Sequence, residues 1–359
     1  MNQRTPWRAG LAASLVLSLP LSLAAACGDS GSSSGSGAKK LKMGIAVPNN
    51  SLNFAREMYQ GATSAAQHAG NIDFKVVGPP NTDGPAEVQL FQNLVVTHRD
   101  GVVLFNLDPP IFTRPAAQAI DQGVPVVALD TAPTPGSKMN FFVGTDNYEL
   151  GGLLAQAAVK KLGADAKGTI VIGQTDPGVP VLDNRVKGIK ETLAKMAPGI
   201  KTLGPYHTFS DPAQNYNAWI AQVHAHPDAL AFLGVGDADS YDLAKIKQQE
   251  KGKYLTAGFD VDPKTLQAVK DGTNFAGIDP EHFLKGYISA AVLAKTVRDG
   301  KKLPSGWFKT PGMVLDSGNI DEVIAREKSP EAAYNWYKPQ IDKLLANVDG
   351  SLKPLSQAR

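Results

Sequence analysis

The feature that most constrains the fold is a regular alternation of short apolar runs with longer amphipathic segments, which begins at residue 41. The runs "LKMGIAV" (41–47), "GVVLFNL" (101–107) and "VPVVALD" (124–130) have the length of strands, and segments of helix length lie between such runs. This alternation is typical of a parallel sheet that is covered by helices on both faces. The sequence therefore predicts an α/β fold.

The alternation divides into two halves of similar size, and a helical segment, "PEHFLKGYISAAVLAKTVRDGKK" (280–302), follows the second half. This helix has no sheet neighbour in the second half, so we expect it to return to the first. The chain should then cross between two lobes more than once, near 145, 278 and 305. The predicted units are an N-terminal lobe (41–145 plus 280–303), a C-terminal lobe (146–279 plus 304–325) and a helical C-terminal tail (326–359).

The first 26 residues read as a secretory signal peptide. Arg4 and Arg8 precede an apolar stretch that ends in small residues, and polar sequence follows at once. The sole cysteine, Cys27, comes next and excludes an intramolecular disulfide. It resembles the lipidated cysteine of a bacterial lipobox. The match is imperfect, because lipoboxes usually carry an aliphatic residue three positions before the cysteine. Here Ala24 occupies that position, and Leu23 lies four positions before Cys27.

A Gly/Ser-rich tether, 27–40, follows the signal and has too few apolar residues to form a core. We therefore expect an extracytoplasmic protein, either anchored to the outer face of the cell membrane through lipidated Cys27 or periplasmic. The chain carries 36 Lys and Arg against 34 Asp and Glu. Removal of Arg4 and Arg8 with the signal leaves a neutral body, which argues against a nucleic-acid partner.

Polar residues recur where the predicted strands end, and this is the edge at which open parallel sheets bind ligands. Asp130 is the most telling of them, because the following "TAPTP" does not open a helix that needs a cap. Asp176, Asp211 and Asp237 have an equally good explanation as helix caps or turn residues. Asn50, Asn147, Asp260 and Asp279 complete this set of strand ends.

Sequence signatures of catalysis are missing from this pattern. We find no GxSxG in a strand-turn-helix context, no P-loop and no GxGxxG at a first βα turn. Paired carboxylates can hydrolyse glycosides, but here they occur within a set suited to binding hydroxyl groups. His224 and His226 are the only close histidine pair, and they lack a third ligand for a metal. The sequence thus predicts a protein that is not an enzyme and needs no metal or cofactor.

Several segments resemble the periplasmic sugar-binding proteins of ABC importers, of the ribose-, rhamnose- and autoinducer-2-binding type. The resemblance covers roughly 41–315 and rests on the order of its segments. These are "GPPNTDGPAEVQLFQNLVVTHRDGVVLFNLDP" (78–109), "GVPVVALDT" (123–131), "VGTDNYELGG" (143–152), "NRVKGIKETL" (184–193), "HPDALAFLG" (226–234), "GFD" (258–260) and "IDPEHFLKGY" (278–287). The family implies two Rossmann-like lobes with parallel sheets, joined by a three-crossover hinge and closing on a sugar.

The resemblance also implies roles for particular residues. Asp130 and Asp260 match aspartates that accept sugar hydroxyls, and Arg185 matches an arginine that reaches the ligand. Phe54 and Phe209 match aromatic residues that stack on the sugar. The full set of predicted ligand contacts is Asn50, Phe54, Asp130, Thr131, Asn147, Arg185, Phe209, Asp237, Asp260 and Asp279.

Three departures from the ribose type leave the identity of the sugar open. Ala55 replaces a second aromatic residue, Gly236-Asp237 stands where an amide is usual, and Asp279-Pro280 stands where Gln is common. Such a pocket need not hold ribose, and xylose, rhamnose, a polyol or another small polyhydroxylated compound are all open.

The resemblance predicts a monomer that delivers its ligand to an ABC permease, with a receptor for a signal molecule as the alternative. A sugar-responsive repressor would need a DNA-binding motif ahead of residue 41, where the signal and tether lie.

Overall fold

The computed structural model describes residues 39–359, which form one compact unit. The predicted signal peptide, Cys27 and all but the last two residues of the predicted tether lie outside the described residues. Within the described part, no helix is long and apolar enough to cross a membrane.

The first lobe is built from five parallel strands and the helices between them. The elements are β1 (Leu41–Ala46), α1 (Asn53–Ala69), β2 (Ile72–Val77), α2 (Gly84–Thr97), β3 (Gly101–Phe105), α3 (Pro109–Asp121), β4 (Val126–Leu129) and β5 (Phe141–Thr145). Their order across the sheet is β5-β4-β3-β1-β2. Strands β3, β4 and β5 are buried throughout, which explains their continuous apolar sequence.

The second lobe repeats this plan. Its elements are α4 (Asn147–Leu162), β6 (Gly168–Gln174), α5 (Pro180–Met196), β7 (Ile200–His207), α6 (Pro212–Ala225), β8 (Ala231–Gly234), α7 (Asp237–Glu250), β9 (Leu255–Phe259), α8 (Pro263–Lys270) and β10 (Ala276–Asp279). The strands are parallel in the order β10-β9-β8-β6-β7. The predicted α/β fold with two parallel-sheet lobes is confirmed.

The remaining elements are shared between the lobes. They are α9 (His282–Arg298), β11 (Gly306–Thr310), β12 (Met313–Leu315), α10 (Ile320–Arg326), α11 (Pro330–Leu345) and β13 (Leu352–Lys353). Helix α9 packs on α1 in the first lobe, as the sequence predicts. Strand β12 joins the second sheet beside β10, whereas β13 joins the first sheet beside β11.

Strand β11 corrects one predicted boundary. The sequence assigns 304–325 to the C-terminal lobe, but β11 lies parallel to β5 in the first sheet. The reason is packing: Trp307 and Phe308 are buried in the core of that lobe, and the Trp307 indole nitrogen donates to Gly144 O at 2.8 Å. The third crossover therefore lies at 311–312, not near 305.

The tail passes between the lobes once more. Helix α10 packs on α8 in the second lobe, and α11 packs on α1 and α9 in the first. The predicted helical tail thus contains α11, followed by the short strand β13. Residues 327–329 connect α10 to α11 and form a fourth connection between the lobes.

Close helix packing holds the two segments that matter for the site. A Cβ atom on Gly286 of α9 would lie 1.9 Å from Met58 O of α1, and one on Gly151 of α4 would lie 2.0 Å from Arg185 O of α5. Both contacts are with backbone atoms, so only glycine permits this approach. They fix α9 and α5 against their neighbouring helices.

Candidate functional site

A cavity lies between the two lobes, at the carboxyl ends of their strands, where parallel sheets bind ligands. The empty space here amounts to about 560 Å³, which includes space open to solvent. It is lined by Leu52, Phe54, Thr82, Leu107, Asp130, Thr175, Asp176, Val181, Leu182, Arg185, Ser210, Gly236, Asp237, Ala238, Asp260 and His282. Both lobes contribute to this lining, so closure of the lobes can enclose a ligand.

Two aspartates occupy equivalent places in the two lobes. Asp130 directly follows β4 and Asp260 directly follows β9, with φ angles of 65° and 71°. Their amide nitrogens donate to Val143 O and Ile278 O of the neighbouring strands, each at 2.8 Å. Residues other than glycine adopt this left-handed conformation only where the fold holds them, often at functional sites. Each carboxylate is therefore rigidly placed at the cavity.

Asp130 is ionised by its surroundings. Its side chain is buried, and Oδ1 contacts Nζ of Lys285, which is completely buried. Burial alone would raise the pKa of Asp130, but the charge and hydrogen bond of Lys285, together with the charge of Arg185, hold the pKa below its ordinary value. Lys285 occupies Oδ1, so the second oxygen is available to accept a hydrogen bond from a ligand.

Asp260 is likewise an ionised acceptor. His282 Nε2 lies 2.9 Å from its Oδ1, and Arg185 Nη1 lies 3.9 Å from its Oδ2. Burial raises the pKa of Asp260, whereas Arg185 and His282 lower it by more, so the net shift is downward. The carboxylate of the second lobe is thus charged at neutral pH.

Arg185 is held from three sides. Its Nε donates to Asn147 Oδ1 at 3.0 Å, its Nη1 donates to Val235 O at 2.8 Å, and its guanidinium carbon lies 4.2 Å from the ring centre of Phe259. These contacts leave Nη2 without a hydrogen-bond partner among residues 39–359. A guanidinium fixed in this way can donate to a ligand without losing further side-chain freedom.

Asp237 differs from the other two aspartates. It is the first residue of α7, and its Oδ1 has no hydrogen-bond partner within the described part of the chain. Burial and then the nearby charge of Asp260 raise the pKa of Asp237 well above its ordinary value. A raised pKa favours the protonated carboxyl group, which can donate a hydrogen bond as well as accept one.

The rest of the lining is largely apolar. Phe54 packs edge-on against Phe105 with 6.0 Å between ring centres, and it is joined by Leu52, Leu107 and Val181. Charged hydrogen-bonding groups facing an apolar wall match a ligand that has both hydroxyl groups and C–H faces. No group of His, Cys, Asp and Glu in residues 39–359 could hold a metal ion.

Comparison with known proteins identifies the family. A family model described as "Periplasmic binding protein domain" matches residues 43–302. The chain belongs to this family. Because the family and the relatives below are solute-binding proteins, this periplasmic binding protein is a binding protein and not an enzyme.

Two curated relatives match across most of the chain. The xylose/arabinose-binding protein XylF of Sulfolobus acidocaldarius is 19% identical over 75% of this chain and 69% of its own length. The D-allose-binding periplasmic protein of Escherichia coli is 23% identical over 72% of this chain and 86% of its own length. Both are named for the sugars that they bind.

Solved structures match the whole two-lobe body. An ABC transporter solute-binding protein from Burkholderia graminis, in complex with D-arabinose, is 26% identical with a TM-score of 0.73. The match covers 79% of this chain and 97% of that protein. GanP, a glucose-galactose binding protein from Geobacillus stearothermophilus, is 25% identical with a TM-score of 0.70 over 78% and 99% of the two chains.

The structure brings half of the predicted ligand contacts together around the cavity. Phe54, Asp130, Arg185, Asp237 and Asp260 all contribute to its lining. Asn147 does not line the cavity. Its side chain accepts a hydrogen bond from Arg185, which does line it. It is a positioning residue for Arg185.

The other four predicted contacts lie away from the lining. Asn50 is exposed and donates to Gly78 O, and Thr131 is buried beside Asp130. The Phe209 ring packs on that of His207, with 3.8 Å between ring centres, while its neighbour Ser210 lines the cavity instead. Asp279 is completely buried in an ion pair, with Oδ2 only 2.8 Å from Arg326 Nη2. Asp130 is also in a buried ion pair, but unlike that of Asp130, the side chain of Asp279 does not line the cavity.

Sequence reasoning missed His282 and Lys285, which reach the two cleft aspartates from α9. Both lie in "IDPEHFLKGY", a segment noted only for its resemblance to the family. The available signal was their spacing: residues three apart in a helix share one face. A histidine and a lysine on one face, directly after a crossover, place two nitrogen groups at the junction of the lobes.

Proposed function

We propose that this protein is an extracytoplasmic solute-binding protein that captures a sugar or sugar-like polyhydroxylated ligand between its lobes. The observation that carries the proposal is the pair of buried, ionised aspartates, Asp130 and Asp260, one from each lobe at a single cavity. Arg185, 3.9 Å from Asp260, lines the same cavity as a donor, and Phe54 supplies an apolar ring. This combination suits the hydroxyl groups and C–H face of a monosaccharide.

The names of the relatives support this ligand class, since they include proteins that bind xylose or arabinose, D-allose and D-arabinose. Delivery to an ABC permease is part of the proposal and is supported by the solved relative described as an ABC transporter component. Binding would stabilise the closed arrangement of the lobes, and a permease that recognises this arrangement would receive only loaded protein.

The proposal extends to the location of the protein. Cys27 would carry a lipid anchor, and the tether would hold a monomeric body at the outer face of the cell membrane. Labelling cells with a radioactive fatty acid tests the anchor. Label should enter the wild-type protein and be absent from Cys27→Ser. Equal labelling of both would contradict lipidation at Cys27.

The binding function is tested by thermal denaturation and calorimetry with D-arabinose, D-xylose, D-allose, D-ribose, D-galactose and a polyol such as D-mannitol. A ligand that binds only the folded protein must raise its melting temperature. Asp130→Asn should abolish the rise caused by the best sugar, while Asp228→Asn, an exposed surface change, should leave it intact. If none of these compounds stabilises the wild-type protein, the proposed ligand class is wrong.

A further inference from the structure

His282 lines the cavity, and only one of its two ring nitrogens makes a hydrogen bond within residues 39–359. It is the first residue of α9, it is 2% exposed, and it lines the cavity beside Phe54, with 6.1 Å between ring centres. Its helix packs in the first lobe, whereas its partner Asp260 belongs to the second. The side chain therefore lies at the junction of the two lobes.

The two ring nitrogens of His282 have different roles. Nε2 lies 2.9 Å from Asp260 Oδ1. An ionised carboxylate can only accept a hydrogen bond, so Nε2 must carry the hydrogen. Burial, and then the charge of Lys285, lower the pKa of His282, which makes the neutral ring the stable form at neutral pH. Nδ1 is then an acceptor without a hydrogen.

This acceptor has no partner within residues 39–359. Nδ1 of His282 is buried and makes no hydrogen bond within residues 39–359. A buried polar atom without a partner is costly, and most such atoms in folded proteins are satisfied. The ring cannot turn over to satisfy Nδ1 without giving up the bond to Asp260. His282 lines the cavity although Nδ1 itself is covered, so a ligand that shifts the groups packed over this atom would bring it a donor.

We propose that His282 is a specificity-determining residue, whose Nδ1 accepts a hydrogen bond from one particular hydroxyl group of an uncharged sugar. The inference rests on the sugar-binding function proposed above. Sites built to pair with a hydroxyl group reject analogues that lack it, because the protein atom is then left buried and unpaired. His282 therefore requires a hydroxyl group at one position of the ring.

The preference for an uncharged sugar follows from the pairing of the charged groups. Asp130 pairs with Lys285, and Asp260 lies beside Arg185 and His282. A sugar acid would bring a further carboxylate to a cavity that is already lined by Asp130 and Asp260, and an amino sugar would bring a cation near Arg185. An uncharged ligand leaves both pairs undisturbed.

Two substitutions separate the nitrogens of His282. In His282→Asn the side-chain oxygen can take the place of Nδ1, but the side chain is too short to reach Asp260. In His282→Gln the amide nitrogen can take the place of Nε2 and donate to Asp260, but the acceptor at Nδ1 is lost. Calorimetry would use whichever of D-arabinose, D-xylose, D-allose, D-ribose and D-galactose binds the wild-type protein most tightly.

We expect His282→Gln to weaken binding of that sugar about tenfold or more, and His282→Asn to weaken it less. Among the monodeoxy analogues of the sugar, one should bind the wild-type protein about tenfold more weakly than the parent. That difference should disappear in His282→Gln. The matching sugar acid and amino sugar should bind the wild-type protein at least tenfold more weakly than the uncharged sugar.

Other outcomes overturn the inference. If His282→Gln binds like the wild-type protein and His282→Asn does not, the residue serves only as a contact to Asp260. If a variant does not fold, a crystal structure of the wild-type complex decides, since Nδ1 must lie within about 3.2 Å of a sugar hydroxyl oxygen. If no sugar binds the wild-type protein, the proposed function fails and this inference fails with it.

Discussion

Lys285 and Asp130, 155 residues apart in the sequence, form a buried ion pair at the base of the cavity. Lys285 is 0% exposed and Asp130 is 4% exposed, so water hardly screens either charge. The pair ties α9 to the end of β4 and leaves one oxygen of Asp130 for a ligand. Asp130 can thus be both buried and charged, because Lys285 neutralises its charge in the ligand-free protein.

Removal of Lys285 should be strongly destabilising. Lys285→Met would leave Asp130 buried without its cation, which typically costs about 3–5 kcal/mol of unfolding free energy. Urea denaturation measures this loss. The double variant Lys285→Met, Asp130→Asn should recover part of it, because no charge is then left unpaired.

Lys295→Met, which breaks an exposed pair with Asp299 on the same helix, should cost at most about 1 kcal/mol. Equal losses in the two lysine variants would contradict the buried pair.

The protonated state of Asp237 can be tested by substitution. Because its pKa is raised well above the ordinary value, Asn mimics its neutral form, and Asp237→Asn should bind sugar within about threefold of the wild-type affinity. Asp260→Asn replaces an ionised acceptor and should weaken binding more than tenfold. Calorimetry at pH 7 compares them, and a larger loss in Asp237→Asn than in Asp260→Asn would show that Asp237 is ionised.

Asp242 of α7 should make stability depend on pH. Burial raises the pKa of Asp242 to about 7, whereas the unfolded chain has the ordinary value of about 3.9. Between these values the folded state holds the extra proton, so this group's contribution to stability falls as pH rises from about 4 to 7.

Asp242→Asn should therefore raise the melting temperature above that of the wild-type protein by a few degrees at pH 8, and by less at pH 4.5. Thermal denaturation at the two pH values measures the difference. Asp271→Asn changes an exposed carboxylate beside the same helices and should give no such pH dependence. A gain for Asp242→Asn that is the same at both pH values would contradict the raised pKa.

Gly286→Ala tests the close contact of α9 with α1. The added Cβ would lie 1.9 Å from Met58 O, a backbone atom that cannot move alone, so we expect a loss of about 1–3 kcal/mol in unfolding free energy. At Gly152 of α4 the nearest atom is Thr192 Oγ1 at 3.2 Å. Gly152→Ala should therefore be nearly neutral. Chemical denaturation compares the two variants, and similar stabilities would show that α9 can move away from α1 freely.

The two-lobe fold and several site residues could be predicted from the sequence because they follow from local patterns. Buried parallel strands read as apolar runs, and Asp130 and Asp260 stand directly at the ends of such runs. The place of β11 could not be read in this way. Its sequence "GWFKT" would suit the edge of either sheet, and only the packing of Trp307 and Phe308 decides between them.

The missed residues depend on contacts between distant parts of the chain. His282 and Lys285 lie on a helix rather than at a strand end, and their partners Asp260 and Asp130 are 22 and 155 residues away. Asp279 stands at a strand end like the cleft aspartates, but Arg326 from the tail pairs with it. A residue type at a strand end therefore indicates a candidate ligand contact, and the tertiary structure decides whether its side chain lines the cavity.

Asp279 and Arg326 allow stability and binding to be separated. Both side chains are 0% exposed, and the guanidinium carbon of Arg326 also lies 4.9 Å from the Trp336 ring centre and 5.0 Å from that of Tyr337. Arg326→Met would leave Asp279 buried and unpaired, with an expected loss of about 3–5 kcal/mol. The double variant Arg326→Met, Asp279→Asn should recover part of this loss.

Sugar affinity should respond differently from stability. Asp279 does not line the cavity, so in Asp279→Asn we expect the dissociation constant to stay within about threefold of the wild-type value while the protein unfolds at lower denaturant concentration. Asp260→Asn provides the matched comparison, since it stands at the equivalent end of the neighbouring strand and lines the cavity. If Asp279→Asn loses affinity as strongly as Asp260→Asn, then Asp279 acts on the ligand, and its ion pair with Arg326 does not set it apart from the site.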